Sequence, residues 1–274
     1  MTVNQLDIEG GIKELGLTGL PVCIHSSLKS FGFVEGGADA ILDAFLDAGC
    51  TVVVPTFRYT GEIAPPDGVD IERNGWDDTR ATEVGNHSSE PYDSSSNSMT
   101  TGEMGATPAA LLRRPGRFRG DHPIDSFSAA GPLAEEIIAT QSPCNVYGPL
   151  RAIGKHGGYV LLMGVDLNRM TLLHTAEQES GRELFHRWAL GPDGEPLETL
   201  VGGCSEGFPR LESAIGQLAR ETTVGTSRWR AFPVNATLEA ASAAIQANPQ
   251  ITDCGDPQCG TCPDAVLGGP FVSP

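Results

Sequence analysis

The chain has 274 residues, 39% of them hydrophobic, and its 35 acidic and 18 basic side chains give a formal net charge of −17 at pH 7. This length suffices for one large domain, and no run approaches the roughly 20 apolar residues that a membrane-spanning helix requires. Such an acidic chain repels nucleic acid and anionic membranes and attracts cationic small molecules, although the charge can also serve only to keep the protein in solution. We therefore expect a cytoplasmic protein, a monomer or a homodimer, with no nucleic acid and no membrane as partner.

Apolar periodicity along the chain predicts alternating strands and helices. Runs over 21–25 and 50–56 predict strands, and helical spacing over 37–49 predicts a helix between them, a unit typical of parallel pairing. An apolar run over 159–164 predicts a buried strand that leads into a helix over 174–185. Further helices are predicted over 107–114, 132–140, 208–222 and 237–247, and further strands over 188–190, 197–201 and 230–234.

These elements indicate the α/β class. The expected fold is a mixed, largely parallel central sheet flanked by helices, with a small extra β and metal-bearing region toward the C-terminal end. The strands over 188–190 and 197–201 either extend this sheet or form a small second one. We expect a single domain over 1–274, with an inserted loop at about 57–104 and a cysteine-rich tail at about 250–274.

The inserted segment 57–104 is rich in acidic residues, serines and glycines and has no sustained apolar period. A segment of this length is either disordered or an ordered loop over a binding cleft. Its aromatic residues Tyr59, Trp76 and Tyr92 favour the ordered alternative.

A histidine and a glutamate stand three residues apart in M-T-L-L-H-T-A-E at 170–177, where a helix should begin after a strand. An i, i+3 pair lies on one helical face, and ligands of α/β proteins gather at the carboxyl ends of strands. His174 is therefore a candidate general base, with Glu177 to orient it. The alternative is a helix cap, with Glu177 as a first-turn acid that complements the helix dipole.

A second candidate site is the turn H-S-S-L-K at 25–29, followed by Gly36 and Gly37 before the first long helix. Such a turn offers backbone N–H groups and hydroxyls to an anion or an acyl carbonyl. It can equally be an ordinary connection whose serines cap the local backbone.

Four arginines lie within the seven positions 113–119. In so acidic a chain, this cluster is either an anchor for a phosphate-bearing cofactor or a salt-bridged surface loop. Its members are Arg113, Arg114, Arg117 and Arg119.

The seven cysteines are an odd number, which argues against a disulfide framework and for a reducing compartment. Cys254, Cys259 and Cys262 read C-x4-C-x2-C in a tail rich in glycine, aspartate and proline, where the two sulfurs of a C-x2-C pair can converge on one tetrahedral ion. Reduced, unliganded cysteines are the alternative.

Four ordered blocks of the sequence resemble the aminoglycoside 3-N-acetyltransferase family. They are H-S-S-L-K-S-F-G-F-V-E-G-G-A-D-A-I at 25–41, V-V-V-P-T at 52–56, H-P-I-D-S-F-S-A-A-G-P-L-A-E-E-I at 122–137, and V-L-L-M-G-V-D-L-N-R-M-T-L-L-H-T-A-E at 160–177. The resemblance is looser from there to about residue 265.

The resemblance implies transfer of an acetyl group from acetyl-CoA to an amine of an aminoglycoside, on an α/β fold distinct from that of the GNAT acetyltransferases. It also implies that His174 is the general base and that Glu177 lines the acceptor pocket or steadies the imidazole. Glu198 is a further candidate for the carboxylate that supports the base. Residues that the resemblance places against acetyl-CoA are His25, Ser26, Ser27, Leu28, Lys29, Gly36, Gly37 and Thr171.

The implied chemistry is consistent with the residues. An amine must lose a proton before it attacks a thioester, so a base is required, and N–H groups of the 26–28 turn can stabilise the oxyanion. We expect direct transfer in a ternary complex, with acidic residues of 57–104 gathering the cationic acceptor. The alternatives are a CoA-dependent acetyltransferase of another amine, or a CoA- and zinc-binding protein without catalysis.

Some members of the family also end in a C-x2-C pair. The resemblance thus suggests a structural zinc ion held by Cys204, Cys259 and Cys262, with His186 or Cys254 as the fourth ligand.

Overall fold

The computed structural model describes residues 2–76, 78–85, 87 and 90–271. The strands are β1 (Thr2–Val3), β2 (Pro21–Ser26), β3 (Phe33–Val34), β4 (Thr51–Pro55), β5 (Glu62–Ile63), β6 (Phe118–Arg119), β7 (Phe127–Ala130), β8 (Tyr159–Met163), β9 (Phe185–Leu190), β10 (Pro196–Val201), β11 (Arg220–Val224) and β12 (Ser227–Pro233). The helices are α1 (Gln5–Glu14), α2 (Gly37–Asp47), α3 (Asp78–Val84), α4 (Thr101–Met104), α5 (Ala106–Leu112), α6 (Ala134–Ile138), α7 (Gly148–Lys155), α8 (Leu172–Glu179), α9 (Glu212–Ile215), α10 (Val234–Ala247) and α11 (Cys262–Val266).

Within these described residues, the central sheet has seven strands in the order β11-β12-β8-β2-β4-β7-β6. Its three middle strands, β8, β2 and β4, run parallel, and antiparallel strands complete it on both sides. The predicted α/β class with a mixed central sheet is therefore confirmed. The parallel part is the strand–helix–strand unit β2–α2–β4 together with β8.

Helices cover both faces of this sheet. Consecutive residues of β4 point to opposite faces, so Val53 packs into the core under α7, α8 and α10, whereas Val52 and Val54 pack into the core under α1 and α2. A strand that is buried on both faces needs an uninterrupted apolar run, which explains the T-V-V-V-P sequence of β4.

A second sheet of the described chain has the order β10-β9-β5. β9 and β10 form a hairpin around Gly191 and Gly194, so the strands predicted over 188–190 and 197–201 belong to a small second sheet and do not extend the central one. β5, from the inserted segment, pairs with β9 and so attaches that segment to the body of the protein. Asp77, Asn86, Ser88 and Ser89 of the insertion lie outside the described residues.

The single helix predicted over 208–222 is wrong. Phe208, Leu211 and Ile215 are buried, as their helical spacing suggested, but the segment consists of two 3-10 turns around the short α9, and β11 begins at Arg220. Glycine is a poor helix former, so Gly216 favours the end of α9.

The prediction also missed α1, although Asn4 and Asp7 form a capping box there. Among the described residues, no helix is both long and apolar enough to cross a membrane.

Candidate active site

The carboxyl ends of β2, β4 and β8 meet at one edge of the central sheet and open into a cavity of about 1310 Å³. Because β7 runs antiparallel to β4, the residues that precede β7 reach the same edge. The cavity is lined by the 25–29 turn, by the start of α8, and by parts of the inserted segment. The topology thus gathers several separate sequence blocks around one space.

His174 lies in the first turn of α8, lines this cavity, and is 9% exposed. Its Nδ1 is 2.9 Å from Oε2 of Glu177, the i, i+3 partner that the sequence suggested. Arg182 donates to the other oxygen of Glu177 at 2.5 Å, and the hydroxyl of Thr252 donates to that oxygen at 3.2 Å. The carboxylate is therefore fixed on one side and faces the imidazole on the other.

The imidazole of His174 is also held by packing. It stacks on Tyr147 with ring centroids 6.1 Å apart and meets the edge of Phe208 at 4.7 Å. A Cβ atom at Gly202 would come within 2.6 Å of the imidazole Cγ, so only glycine leaves room for the ring in this position. The backbone of 202–205 therefore forms one wall around His174.

Glu198 does not support His174. Its Oε1 is 2.6 Å from Nδ1 of His186, on the exposed face of the β9–β10 hairpin. Glu177 occupies the supporting position instead, because α8 presents it one turn after the histidine.

The 25–29 turn follows β2, far from α8 in the chain, but it lines the same cavity. Burial lowers the pKa of His25 to about 4, so its imidazole is neutral near pH 7. The hydroxyl of Ser26 donates to Thr107 at 2.9 Å, and the N–H of Ser27 donates to the carbonyl of Met163 at 2.9 Å.

The predicted oxyanion donors over 26–28 therefore need a correction, because the Ser27 N–H is already used. A 3-10 turn begins at Leu28, and N–H groups of a first turn have no acceptor within their own helix. Leu28 and Lys29, the first two residues of this 3-10 turn, both line the cavity.

The glycines after this turn start α2. Gly36 and Gly37 have φ angles of 77° and 61°, a left-handed backbone that favours glycine. Gly37 lines the cavity, and α2 begins there without a side-chain cap. Thr171, at the start of α8, also lines the cavity.

The arginine cluster does not act as one anchor. Arg117 donates to the carbonyls of Ser94, Ser95 and Ser96, and Arg119 donates to those of Thr56 and Ser98. These two side chains fasten the inserted segment to the body. Arg113 and Arg114 instead form ion pairs with the acidic residues of α2.

Charged side chains from four elements meet at the cavity wall under the inserted segment. Glu62 is 1% exposed and forms ion pairs with Arg80 and with Arg187, the latter at 3.3 Å. Burial lowers the pKa of Arg187 to about 10, so it remains a cation at neutral pH. Asp125 stands beside them with its pKa raised to about 7 by burial.

Four cysteines come together beside the cavity: Cys204, Cys254, Cys259 and Cys262, whose sulfur atoms all lie within 4.8 Å of one another. His186 is outside this group because it pairs with Glu198. A hydrogen bond with Cys262 is the main cause that lowers the pKa of Cys204 to about 6. The backbone N–H groups of Cys254, Asp256 and Cys262 each donate to a cysteine sulfur at 3.4 Å.

The sequence profile of the aminoglycoside 3-N-acetyltransferase family matches residues 23–246. The chain belongs to this family. Aminoglycoside N(3)-acetyltransferase IX of Micromonospora chalcea is 37% identical over 183 residues, which cover 64% of this chain and 62% of that relative. The aligned chain thus spans about three fifths of the length of the curated family members that it matches.

Solved structures of the family have the same fold. A histidine-to-alanine mutant of aminoglycoside acetyltransferase AAC(3)-IVa, in complex with a gentamicin, superposes with a TM-score of 0.75 at 24% identity over 98% of each chain. AAC-IIIb in a binary complex with CoASH superposes with a TM-score of 0.68 at 21% identity, over 90% of this chain and 97% of that one.

Among the residues of the site that sequence reasoning missed are Arg182 and Asp125. Arg182 lies just after α8, and nothing in its local pattern indicates that it turns back to Glu177. Asp125 belongs to the H-P-I-D-S-F block, one of the blocks that carry the family resemblance. That position was the available signal that this residue lies near the site.

Proposed function

We propose that this chain is an acetyl-CoA-dependent N-acetyltransferase that acetylates the 3-amino group of the aminocyclitol of an aminoglycoside, with His174 as general base. The observation that carries this proposal is the buried series His174–Glu177–Arg182, which reaches the same cavity as the 25–29 turn. Family membership supports the reaction class. The relatives solved with a gentamicin and with CoASH support the two ligands.

The proposed role of His174 follows from its hydrogen bond. When Nδ1–H donates to Glu177, Nε2 carries the free lone pair. As the amine nitrogen forms a bond to the acetyl carbonyl carbon, Nε2 takes the proton from that nitrogen. The C–S bond then breaks, and the imidazolium returns its proton to the departing CoA thiolate. The acetyl group passes directly to the amine, without an acetyl-cysteine thioester intermediate.

The proposed acetyl-CoA site is the end of the cavity formed by the 25–29 turn and the start of α2. The N–H groups of Leu28 and Lys29 are the candidates for stabilising the oxyanion of the tetrahedral intermediate. The positive end of α2, at Gly37, and the side chain of Lys29 favour an anionic pyrophosphate. Thr171 and Ser27 are positioned to offer hydroxyls toward the thioester.

The proposed acceptor site is the part of the cavity under the inserted segment. Glu62, Glu83 and Glu103 of that segment line the cavity, as does Asp125 from the residues before β7. A wall of this charge attracts a polycationic acceptor.

We also propose a structural zinc ion at the four cysteines. Zinc in structural sites prefers four thiolate or imidazole ligands in a tetrahedron, and backbone N–H groups that donate to the sulfurs favour thiolates. Bound there, the ion supplies a cross-link between the 202–205 backbone and the tail. The four cysteines fill the coordination sphere of the ion and leave no position for a substrate, so the ion takes no part in the acetyl transfer.

The proposal is tested by thiol release from acetyl-CoA with gentamicin, neomycin and apramycin as acceptors, beside simple amines. We expect turnover of at least one aminoglycoside, and a loss of about 100-fold or more in kcat for His174→Ala, which is the usual contribution of a general base. The affinity for CoA, measured by calorimetry, should change little in this variant.

His156→Ala is the matched control, because His156 is a partly exposed histidine that contacts Glu136 and does not line the cavity. It should retain full activity. Binding of acetyl-CoA without turnover of any aminoglycoside would refute the proposed substrate. Full activity of His174→Ala would refute the proposed base.

A further inference from the structure

Asp125 is a buried acid with a carboxylate oxygen that accepts no hydrogen bond from the described residues. Its side chain is 7% exposed, it lines the cavity, and within the described part of the chain its Oδ1 has no hydrogen-bond partner. Its backbone is fully engaged: the N–H donates to Nδ1 of His122 at 2.8 Å, and the carbonyl accepts from Gln141 at 2.9 Å. The backbone that carries this carboxyl is therefore fixed at the cavity wall.

Other acids of the cavity wall have cations beside them. Glu62 pairs with Arg80 and Arg187, and Glu103 is 3.5 Å from Arg169. A buried carboxylate without a partner carries a large desolvation cost, so such a group is rare unless a ligand supplies the missing partner. The open space in front of Asp125 is the cavity itself.

We infer that Asp125 binds a non-reacting ammonium group of the acceptor and so determines which amines the enzyme accepts. This inference rests on the proposed function. The partner is an ammonium, because it brings both a positive charge and N–H donors, and no described cation donates a hydrogen bond to Oδ1 of Asp125. It is a non-reacting one, because a carboxylate stabilises the protonated amine, whereas the reacting amine must lose its proton. The substrate class is thus a ring with at least two amines.

Charged and titratable groups from several elements act on this carboxyl. They are His174 of α8, Glu62 of β5, Arg80 of α3, Arg187 of β9, and the phenols of Tyr59 and Tyr147. Burial raises the pKa of Asp125 to about 7, so the free enzyme carries this carboxyl partly protonated at neutral pH. An ammonium beside it favours the carboxylate, so binding should release a proton.

The test compares Asp125→Asn with the unmodified enzyme by calorimetric titration of gentamicin without acetyl-CoA, from about pH 6 to about pH 8. The asparagine keeps the shape and removes the charge. We expect the Kd for gentamicin to rise about tenfold or more at the higher pH, and much less at the lower pH, while the Kd for CoA changes less than about twofold. At each pH, we divide the Kd of the variant for gentamicin by that of the unmodified enzyme. Because both proteins meet the same mixture of protonated amines, this ratio cancels the titration of the amines themselves.

Two further variants sharpen the comparison. Asp47→Asn removes the same charge from an exposed residue of α2 that does not line the cavity, and it should bind gentamicin as the unmodified enzyme does. Asp125→Ala should behave like Asp125→Asn, because both lack the carboxylate.

The outcomes separate the two proposals. No aminoglycoside turnover by the unmodified enzyme overturns the proposed function, and this inference with it. Turnover together with a Kd ratio that is close to one, or that does not change with pH, overturns only the role of Asp125. Equal losses of gentamicin and CoA affinity would show a general disturbance of the fold, and would also overturn it.

Discussion

Three buried acids near the cavity are stabilised to different extents. Glu177 has an arginine, a hydroxyl and an imidazole around it, and Glu62 has two arginines. Asp125 has an unpaired oxygen among the described contacts. A buried ion is stable only when hydrogen bonds and opposite charge replace its lost hydration. Glu177 and Glu62 are thus compensated by groups of the protein itself, whereas Asp125 is the acid for which we propose a ligand as partner.

This difference predicts how stability depends on pH. The pKa of Asp125 is raised from 3.8 to about 7 in the folded protein, so the folded state binds this proton more tightly than the unfolded state does. The contribution of Asp125 to the free energy of unfolding therefore decreases as pH rises from about 4 through about 7, by at most about 4 kcal/mol. Asp125→Asn removes this decrease. Urea unfolding should show the variant gaining stability relative to the unmodified protein at about pH 8 but not at about pH 5. An equal difference at both pH values would contradict the prediction.

At the scale of elements, the backbone of 202–205 connects two features that lie far apart in the chain. Gly202 packs against the imidazole of His174, and Cys204, two residues later, joins the three cysteines of the tail. The N–H of Cys204 also donates to Thr261 at 3.1 Å. A metal ion at the four cysteines would therefore stabilise the backbone that packs against His174, the proposed base, without touching it.

We predict that Cys259→Ser lowers the zinc content from about one ion per chain to well below that, and lowers Tm by about 5 °C or more. Cys144→Ser is the matched control, because Cys144 is exposed and lies outside the cluster. Elemental analysis and thermal unfolding of both variants check this. If washing the unmodified protein with a chelator leaves little zinc and does not change its Tm, the structural ion is ruled out.

At the scale of the whole molecule, a net charge of −17 acts on the two proposed substrates in opposite directions. It attracts a polycationic aminoglycoside and repels the anionic acetyl-CoA. The local positive groups of the proposed acetyl-CoA site, Lys29 and the start of α2, act against that repulsion only at short range. Association with the acceptor should thus depend on the field of the entire chain.

We predict that kcat/KM for the aminoglycoside falls about tenfold between about 20 and 300 mM salt, because salt screens the attraction. Over the same range, kcat/KM for acetyl-CoA should stay constant or rise, which makes the second substrate an internal control. Steady-state kinetics with each substrate varied in turn measures both. A parallel fall for the two substrates would indicate a general salt effect on the enzyme instead.

Much of the fold could be predicted from local pattern. The strands β2, β4 and β8 are continuous apolar runs, and the spacing of apolar residues marks α2 and α10. Prediction was wrong over 208–222, where the buried residues have helical spacing but the backbone forms separate short turns. Periodicity reports which residues face the core, and it does not by itself fix the backbone hydrogen bonds.

The sequence by itself determined the family resemblance, the α/β class and the pair His174 and Glu177, because each depends on residues that are close in the chain. Only the tertiary structure decided that Glu177 rather than Glu198 contacts His174, that Cys254 rather than His186 joins the cysteine cluster, and that Asp125 lines the cavity. These are contacts between segments separated by many residues, whose meeting depends on strand order and on the packing of the whole chain, and no local pattern encodes them.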